Sequence, residues 1–138
     1  MKLTLVLTLV ACTSQGCSSL SKRYRPDDVV LARQIARQGA DAYHAGELER
    51  AQELYAKAVQ VCPVDERVQA RYAETMWSRG LQEEAIRHQR EAVRLSGGDP
   101  DLMTRLGEMY LARRDLEAAS ELARRVIDTG RESASAYR

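Results

Sequence analysis

The chain has 138 residues, 44% of them hydrophobic and 30% charged, with a formal net charge of +1. That length bounds it to one modest domain plus a tail, and that charge excludes nucleic-acid binding driven by bulk charge. Phe is absent and only three Pro occur, while Ala, Leu, Arg and Glu are abundant, a mixture that favours helix. No run within the body alternates with period two, so no strand is expected.

Met1-Lys2 leads into residues 3–11, nine uncharged and mostly apolar residues. A helix that short cannot cross a hydrocarbon core of about 30 Å. A basic start, an apolar run and a small residue before the break are the parts of a secretory signal. Leu9-Val10-Ala11-Cys12 also resembles the lipobox of bacterial lipoproteins. That resemblance implies a diacylated Cys12 as the new N-terminus, with residues 1–11 as signal peptide. Cys17 is the alternative; Gly16 and Ser18 suit it, but Ser14 stands where Leu or Val is usual. Residues 12–27 then read as a Ser-rich tether. The absence of Asp after either Cys implies an outer-membrane, periplasm-facing location.

From there the chain reads as helices. Asp27-Asp28 suits an N-cap for a helix over 29–44, and Gly46 suits its left-handed C-cap. A second helix over 48–61 is stopped by Pro63. Val64-Asp65 caps a helix over 66–79; Gly80 turns the chain into another over 82–95. Ser96-Gly97-Gly98-Asp99-Pro100 is the clearest turn. Helices over 101–113 and 116–128 follow, ended by Thr129-Gly130. Residues 131–138 read as the first turns of a further helix, with 134–138 as the start of a truncated capping helix and Leu122, Val126 and Ile127 partly exposed beside it.

A step of 34 residues organises these helices. It relates Arg33 to Arg67, and Arg37 to Arg71 and Arg105. It also relates Gly46 to Gly80, and Ala51 to Ala85 and Ala119. Gly39, Ala73 and Gly107 form a row of small residues on the same step, placed where each first helix meets its second. A fixed period of this length is the mark of stacked helical hairpins.

With Gly39, Gly46, Ala51, Tyr55, Ala58 and Pro63 in the first unit, the chain resembles the tetratricopeptide repeats. Ala73, Gly80, Ala85 and Ala92 carry the second unit; Leu106, Gly107, Tyr110 and Ala119 carry the third. Gln38, Gly97 and Arg114 depart from the pattern. The resemblance implies an all-α, right-handed α-solenoid of three hairpins, with a domain over 28–133 and repeats at 32–65, 66–99 and 100–133. It also implies a protein-binding adaptor or scaffold whose concave groove is lined by the first helix of each hairpin. Mapped here, the groove residues are Arg33, Arg37, Tyr43, Arg67, Arg71, Trp77 and Arg105, suited to a peptide or helix with acidic groups. The chaperone-binding clamp of some members is not expected: its positions hold Ala36, Ala40, Arg71, Asp101 and Arg105, with no Asn. The alternative is a self-associating scaffold working through the C-terminal face, or a piece of a larger assembly such as a pilus or secretin assembly factor.

No enzyme constellation stands out. His44 and His88 lie on different helices without metal-ligand spacing, and Gly97-Gly98 is a repeat boundary, not a phosphate loop. Cys62 has no partner cysteine in the repeats and reads as a small buried hydrophobe. No metal, cofactor or nucleic acid is expected; the expected partners are a protein, a membrane through the lipid, and a second copy through the C-terminal face.

Overall fold

A computed structural model describes residues 24–136, with side chains to Gly130. Six helices follow one another: α1 (Pro26–His44), α2 (Leu48–Val61), α3 (Glu66–Ser78), α4 (Gln82–Leu95), α5 (Pro100–Ala112) and α6 (Leu116–Ala136). No strand occurs among the described residues, and no helix there is long and apolar enough to cross a membrane. The signal peptide, Cys12 and Cys17 lie outside the described residues.

Short turns fold α1 on α2, α3 on α4 and α5 on α6, and the hairpins stack through α2 with α3 and α4 with α5. Each hairpin turn closes in one way. Glu47 N–H donates to the Ala42 carbonyl, Leu81 N–H to that of Met76, and Asp115 N–H to that of Tyr110, each at 2.9 Å. The residue inside each turn has positive φ: Gly46, Gly80 and, at +60°, Arg114. The hairpin geometry is therefore kept in the third repeat although its Gly is lost.

The loops between hairpins are held by Asp caps on the same 34-residue step. The Asp65 carboxylate accepts from Arg67 N–H and Val68 N–H at 3.0 and 3.1 Å. Asp99 does the same for Asp101 N–H and Leu102 N–H at 2.9 and 3.1 Å. Ion pairs repeat as well. Arg79 at the end of α3 reaches Glu49 on α2, and Arg113 at the end of α5 reaches Glu83 on α4.

Three apolar clusters run along the stack. Ala32, Ala58, Cys62 and Val68 form the first, with Tyr24 packed on it. Ala42, Ala51, Tyr55, Tyr72, Met76 and Ala85 form the second. The third contains Ile86, Val93, Met103, Leu106, Met109 and Leu122.

Both outer boundaries differ from expectation. α1 begins at Pro26, with Arg25 rather than Asp27-Asp28 at the N-cap, and both aspartates lie in its first turn. Pro at N1 is already set for helix, and Asp28 reaches back to accept Arg25 N–H at 3.0 Å. At the other end Thr129-Gly130 does not stop α6, which continues to Ala136. A single Gly costs a helix about 1 kcal/mol, and no proline follows to end it.

The small-residue row is not uniform. A Cβ on Gly39 would stand 3.1 Å from the Tyr55 ring, whereas one on Gly107 would stand 3.9 Å from Leu122 Cβ. Only the first hairpin closes tightly enough to require glycine.

A candidate arginine-lined peptide cleft

The first helix of each hairpin carries the arginine row, and the structure divides that row into two groups. Arg33 Nε donates to Asp65 Oδ2 at 2.7 Å. Asp65 is buried, and its other oxygen caps α3. Arg33 therefore fastens α1 to the start of α3. Its counterpart one step on does not repeat this: Arg67 lies 3.8 Å from Glu66, and Asp99 is exposed.

Arg67, Arg71 and Arg105 come together instead, from α3 and α5, around a cleft of about 350 Å³. Ala70, Leu102 and Gln89 line it beside Glu66 and Glu74. Gln89 is buried and donates to the Leu102 carbonyl at 3.0 Å, which ties α4 to the first turn of α5 and fixes one wall. Arg71 pairs with Glu74 and Arg105 with Glu108, both at 2.9 Å and three residues apart. Exposed pairs of this kind contribute only about 0.3–0.5 kcal/mol. Their guanidinium groups can thus exchange a neighbouring carboxylate for one on a ligand at little cost.

The remaining mapped residues lie outside that cleft. Arg37 is exposed on α1. The Tyr43 hydroxyl and Ser78 Oγ are 2.8 Å apart, joining α1 to α3. Trp77 is half-buried and packs against both the second and third clusters, as a spacer between repeats. The sequence mapping missed Gln89 and Leu102, because it drew only on groove positions of the first helices. The available signal was a polar residue, Gln89, in the same row as Tyr55 and Ala123 on the 34-residue step. A second cleft of about 360 Å³ on another side is lined by Arg90, Arg94, Arg125 and the Gly97-Gly98 turn. There Arg94 is held by Glu91 at 2.5 and 2.8 Å, a contact that keeps the Glu91 carboxyl below its usual range.

Neither histidine joins a chemical site. His44 is exposed and meets the Tyr43 ring edge-on. His88 Nδ1 is 2.7 Å from Gln69 Oε1, and Gln69 Nε2 donates to the Pro63 carbonyl, so the ring N–H is the donor. Burial, then the Arg87 charge, lower the His88 pKa. The buried Cys62 thiol is pushed up, chiefly by desolvation. Among the described residues no group of His, Cys, Asp and Glu could hold a metal ion.

No family model matches this sequence, and no curated protein does. Solved structures do match in shape. The N-terminal domain of stress-induced protein-1 (STI-1) from C. elegans is similar at TM-score 0.67 and 20% identity, over 75% of this chain and 87% of that one. The first TPR of Spaghetti (RPAP3), bound to the HSP90 peptide SRMEEVD, is similar at TM-score 0.65 and 21% identity, over 70% of this chain and 77% of that one. The chain has a tetratricopeptide-repeat-like fold. MamA is similar at TM-score 0.70 and 14% identity, over 75% of this chain and 61% of that one. At such identities the likeness is one of fold. The side chains in the groove are this chain's own.

Proposed function

We propose that the protein is a non-enzymatic adaptor that binds an extended peptide with acidic groups in the cleft between α3 and α5. It is tethered to a bacterial envelope membrane by a lipid on Cys12, or alternatively Cys17. The observation that carries the binding reading is the convergence of Arg67, Arg71 and Arg105 from two helices on one cleft. Three guanidinium forks face two lining carboxylates, and a planar fork matches a carboxylate in two-point geometry. Ala70 and Leu102 offer apolar contact between them. Support by analogy comes from the Spaghetti domain, which holds the acidic peptide SRMEEVD in the same fold. At 21% identity the likeness reaches only the fold, so we carry over the kind of ligand and not HSP90.

The anchor reading rests on Leu9-Val10-Ala11-Cys12 and the Ser-rich stretch that follows. It implies presentation of the cleft from the outer membrane toward the periplasm. The test is capture from the native envelope by the intact protein and by an Arg71→Glu/Arg105→Glu variant, read by mass spectrometry. A partner retained by the first and lost by the second is the expected result. Identical capture by both would remove the cleft from the reading, and an unlipidated N-terminus in the same spectra would remove the anchor.

A further inference from the structure

Among the described residues four polar side chains are buried: Asp65, Gln69, Thr75 and Gln89. The first three bond through every polar atom they have. Asp65 uses one oxygen on Arg33 and the other on the α3 N–H groups. Gln69 donates to the Pro63 carbonyl at 2.8 Å and accepts from His88 at 2.7 Å. Thr75 Oγ1 donates to the Arg71 carbonyl at 3.0 Å.

Gln89 bonds through its nitrogen alone, to the Leu102 carbonyl at 3.0 Å. That acceptor fixes which way the amide points, because a carbonyl oxygen cannot donate and would repel the Gln oxygen. Oε1 is therefore turned away from Leu102, and it has no hydrogen-bond partner among the described residues. No buried side-chain oxygen or nitrogen there lacks a partner, so Oε1 is open to solvent although the residue is 1% exposed. Gln89 lines the arginine cleft, and the oxygen opens there. One step earlier the chain has Tyr55, in an apolar cluster. An amide with an idle acceptor costs more at such a place than an aromatic would, unless a ligand supplies a donor.

The rest of the cleft says which donor. Arg67, Arg71 and Arg105 only donate, and the carboxylates of an acidic ligand only accept. Bonds between the two are roughly twice as strong as a bond to a neutral amide. The arginines therefore go to the ligand's carboxylates and leave Oε1 to another donor. In an acidic peptide that donor is a main-chain N–H.

We infer that Gln89 Oε1 reads the ligand's backbone: it accepts one main-chain N–H of an extended peptide whose flanking acidic side chains engage the arginines. This rests on the reading of the cleft as an acidic-peptide site and narrows it. A charged peptide is held in one register, and a proline or N-alkylated residue at the contact position is refused, since it has no N–H.

The test titrates the peptide acetyl-Gly-Gly-Glu-Ala-Glu-Gly-Gly-amide into the full chain and follows binding by NMR shifts. A series of peptides replaces one N–H at a time by an ester oxygen, which removes the donor and keeps the extended shape. One position is expected to weaken binding about 10-fold, the effect of leaving a single acceptor unpaired. In Gln89→Met the parent peptide should lose a similar factor, and the same ester should then add less than about 2-fold. The salt dependence of Gln89→Met should match that of the unchanged protein, because the arginines are intact, whereas a distorted cleft would alter both. The ester series on the unchanged protein needs no variant to fold, and a series with no sensitive position overturns the inference by itself. Binding that needs Arg71 and Arg105 but shows no coupling between any ester and Gln89 also overturns it, and leaves the cleft reading standing. A parent peptide that does not bind, or that binds Arg71→Ala/Arg105→Ala equally well, removes the cleft reading and this inference with it.

Discussion

At the N-terminal end, α1 shows solvent Gln34, Gln38 and Asp41, Tyr24 packs over the first cluster, and Arg33 is engaged with the buried Asp65. At the C-terminal end, α5 and the part of α6 up to Gly130 present a different surface. Leu111 and Ile127 face solvent, the Gly107 crossing is loose, and Arg105 lines a cleft while paired with Glu108. One 34-residue unit therefore serves two purposes. The first hairpin is tied to the second by Arg33 on Asp65 and has the tight Gly39 crossing, although Val30 and Leu31 of α1 are exposed; the second and third line the arginine cleft. In a solenoid this division is possible because each repeat contacts only its neighbours.

The comparison breaks first, and with the largest effect, in the cores. Tyr55 is 2% exposed, and Tyr55→Ala should cost about 3–5 kcal/mol in urea unfolding, as for a large buried aromatic. Leu111→Ala at the open end should cost under about 1 kcal/mol, because the side chain is already largely hydrated. Equal losses would mean that Leu111 is as buried as Tyr55.

The paired caps sharpen it next. Asp99→Ala should cost about 1 kcal/mol, the usual value for a lost N-cap. Asp65→Ala should cost more, about 2 kcal/mol, because that carboxylate is buried and also accepts from Arg33. Thermal melts of the two variants side by side measure the difference, and indistinguishable values would deny Arg33 its structural role.

Smaller still is an opposition of sign at the helix crossings. Gly39→Ala should destabilise by about 1 kcal/mol, since its methyl meets the buried Tyr55 ring at 3.1 Å. Gly107→Ala has room and should stabilise by about 0.5–1 kcal/mol through helix propensity. Denaturant midpoints for both decide this, and two losses of similar size would show equally tight crossings.

The pH effect is the smallest. The folded state holds the His88 pKa below that of the unfolded chain, through burial and Arg87, so the unfolded state binds the proton more readily. His88 should therefore cost nothing above about pH 6.5, and stability should fall as pH drops below that value. The fall levels off once the pH is below the lowered folded value. In His88→Gln that part of the pH dependence should vanish from melts taken between about pH 7 and 5.

Much of this was legible in the sequence because the repeat is a local code. The 34-residue step, Gly46 and Gly80, and Pro63 placed α2 and α4 at the observed bounds and α3 within a residue at its end. The ends were read less well, since a solenoid's terminal helices lack neighbours that fix their limits. Pro26 and the back-bond of Asp28 moved one boundary, and the tolerated Gly130 moved the other. In the cleft, Arg67, Arg71 and Arg105 were legible from their register. The diversion of Arg33 was not, because its partner follows the second helix, a position that a groove built only from first helices leaves out. Gln89 and Leu102 were hidden for a related reason: one lies on a second helix, and the other faces the preceding hairpin.

The most direct measurement is calorimetric titration of a short extended peptide rich in Glu and Asp into the intact protein at low and high salt. The expected result is saturable binding that weakens with salt. Binding should be lost in Arg71→Ala/Arg105→Ala and kept in Arg33→Ala, even though Arg33→Ala lowers the melting temperature. Binding that survives the double substitution, or that falls equally with Arg33→Ala, would contradict the assignment of recognition to the α3–α5 cleft.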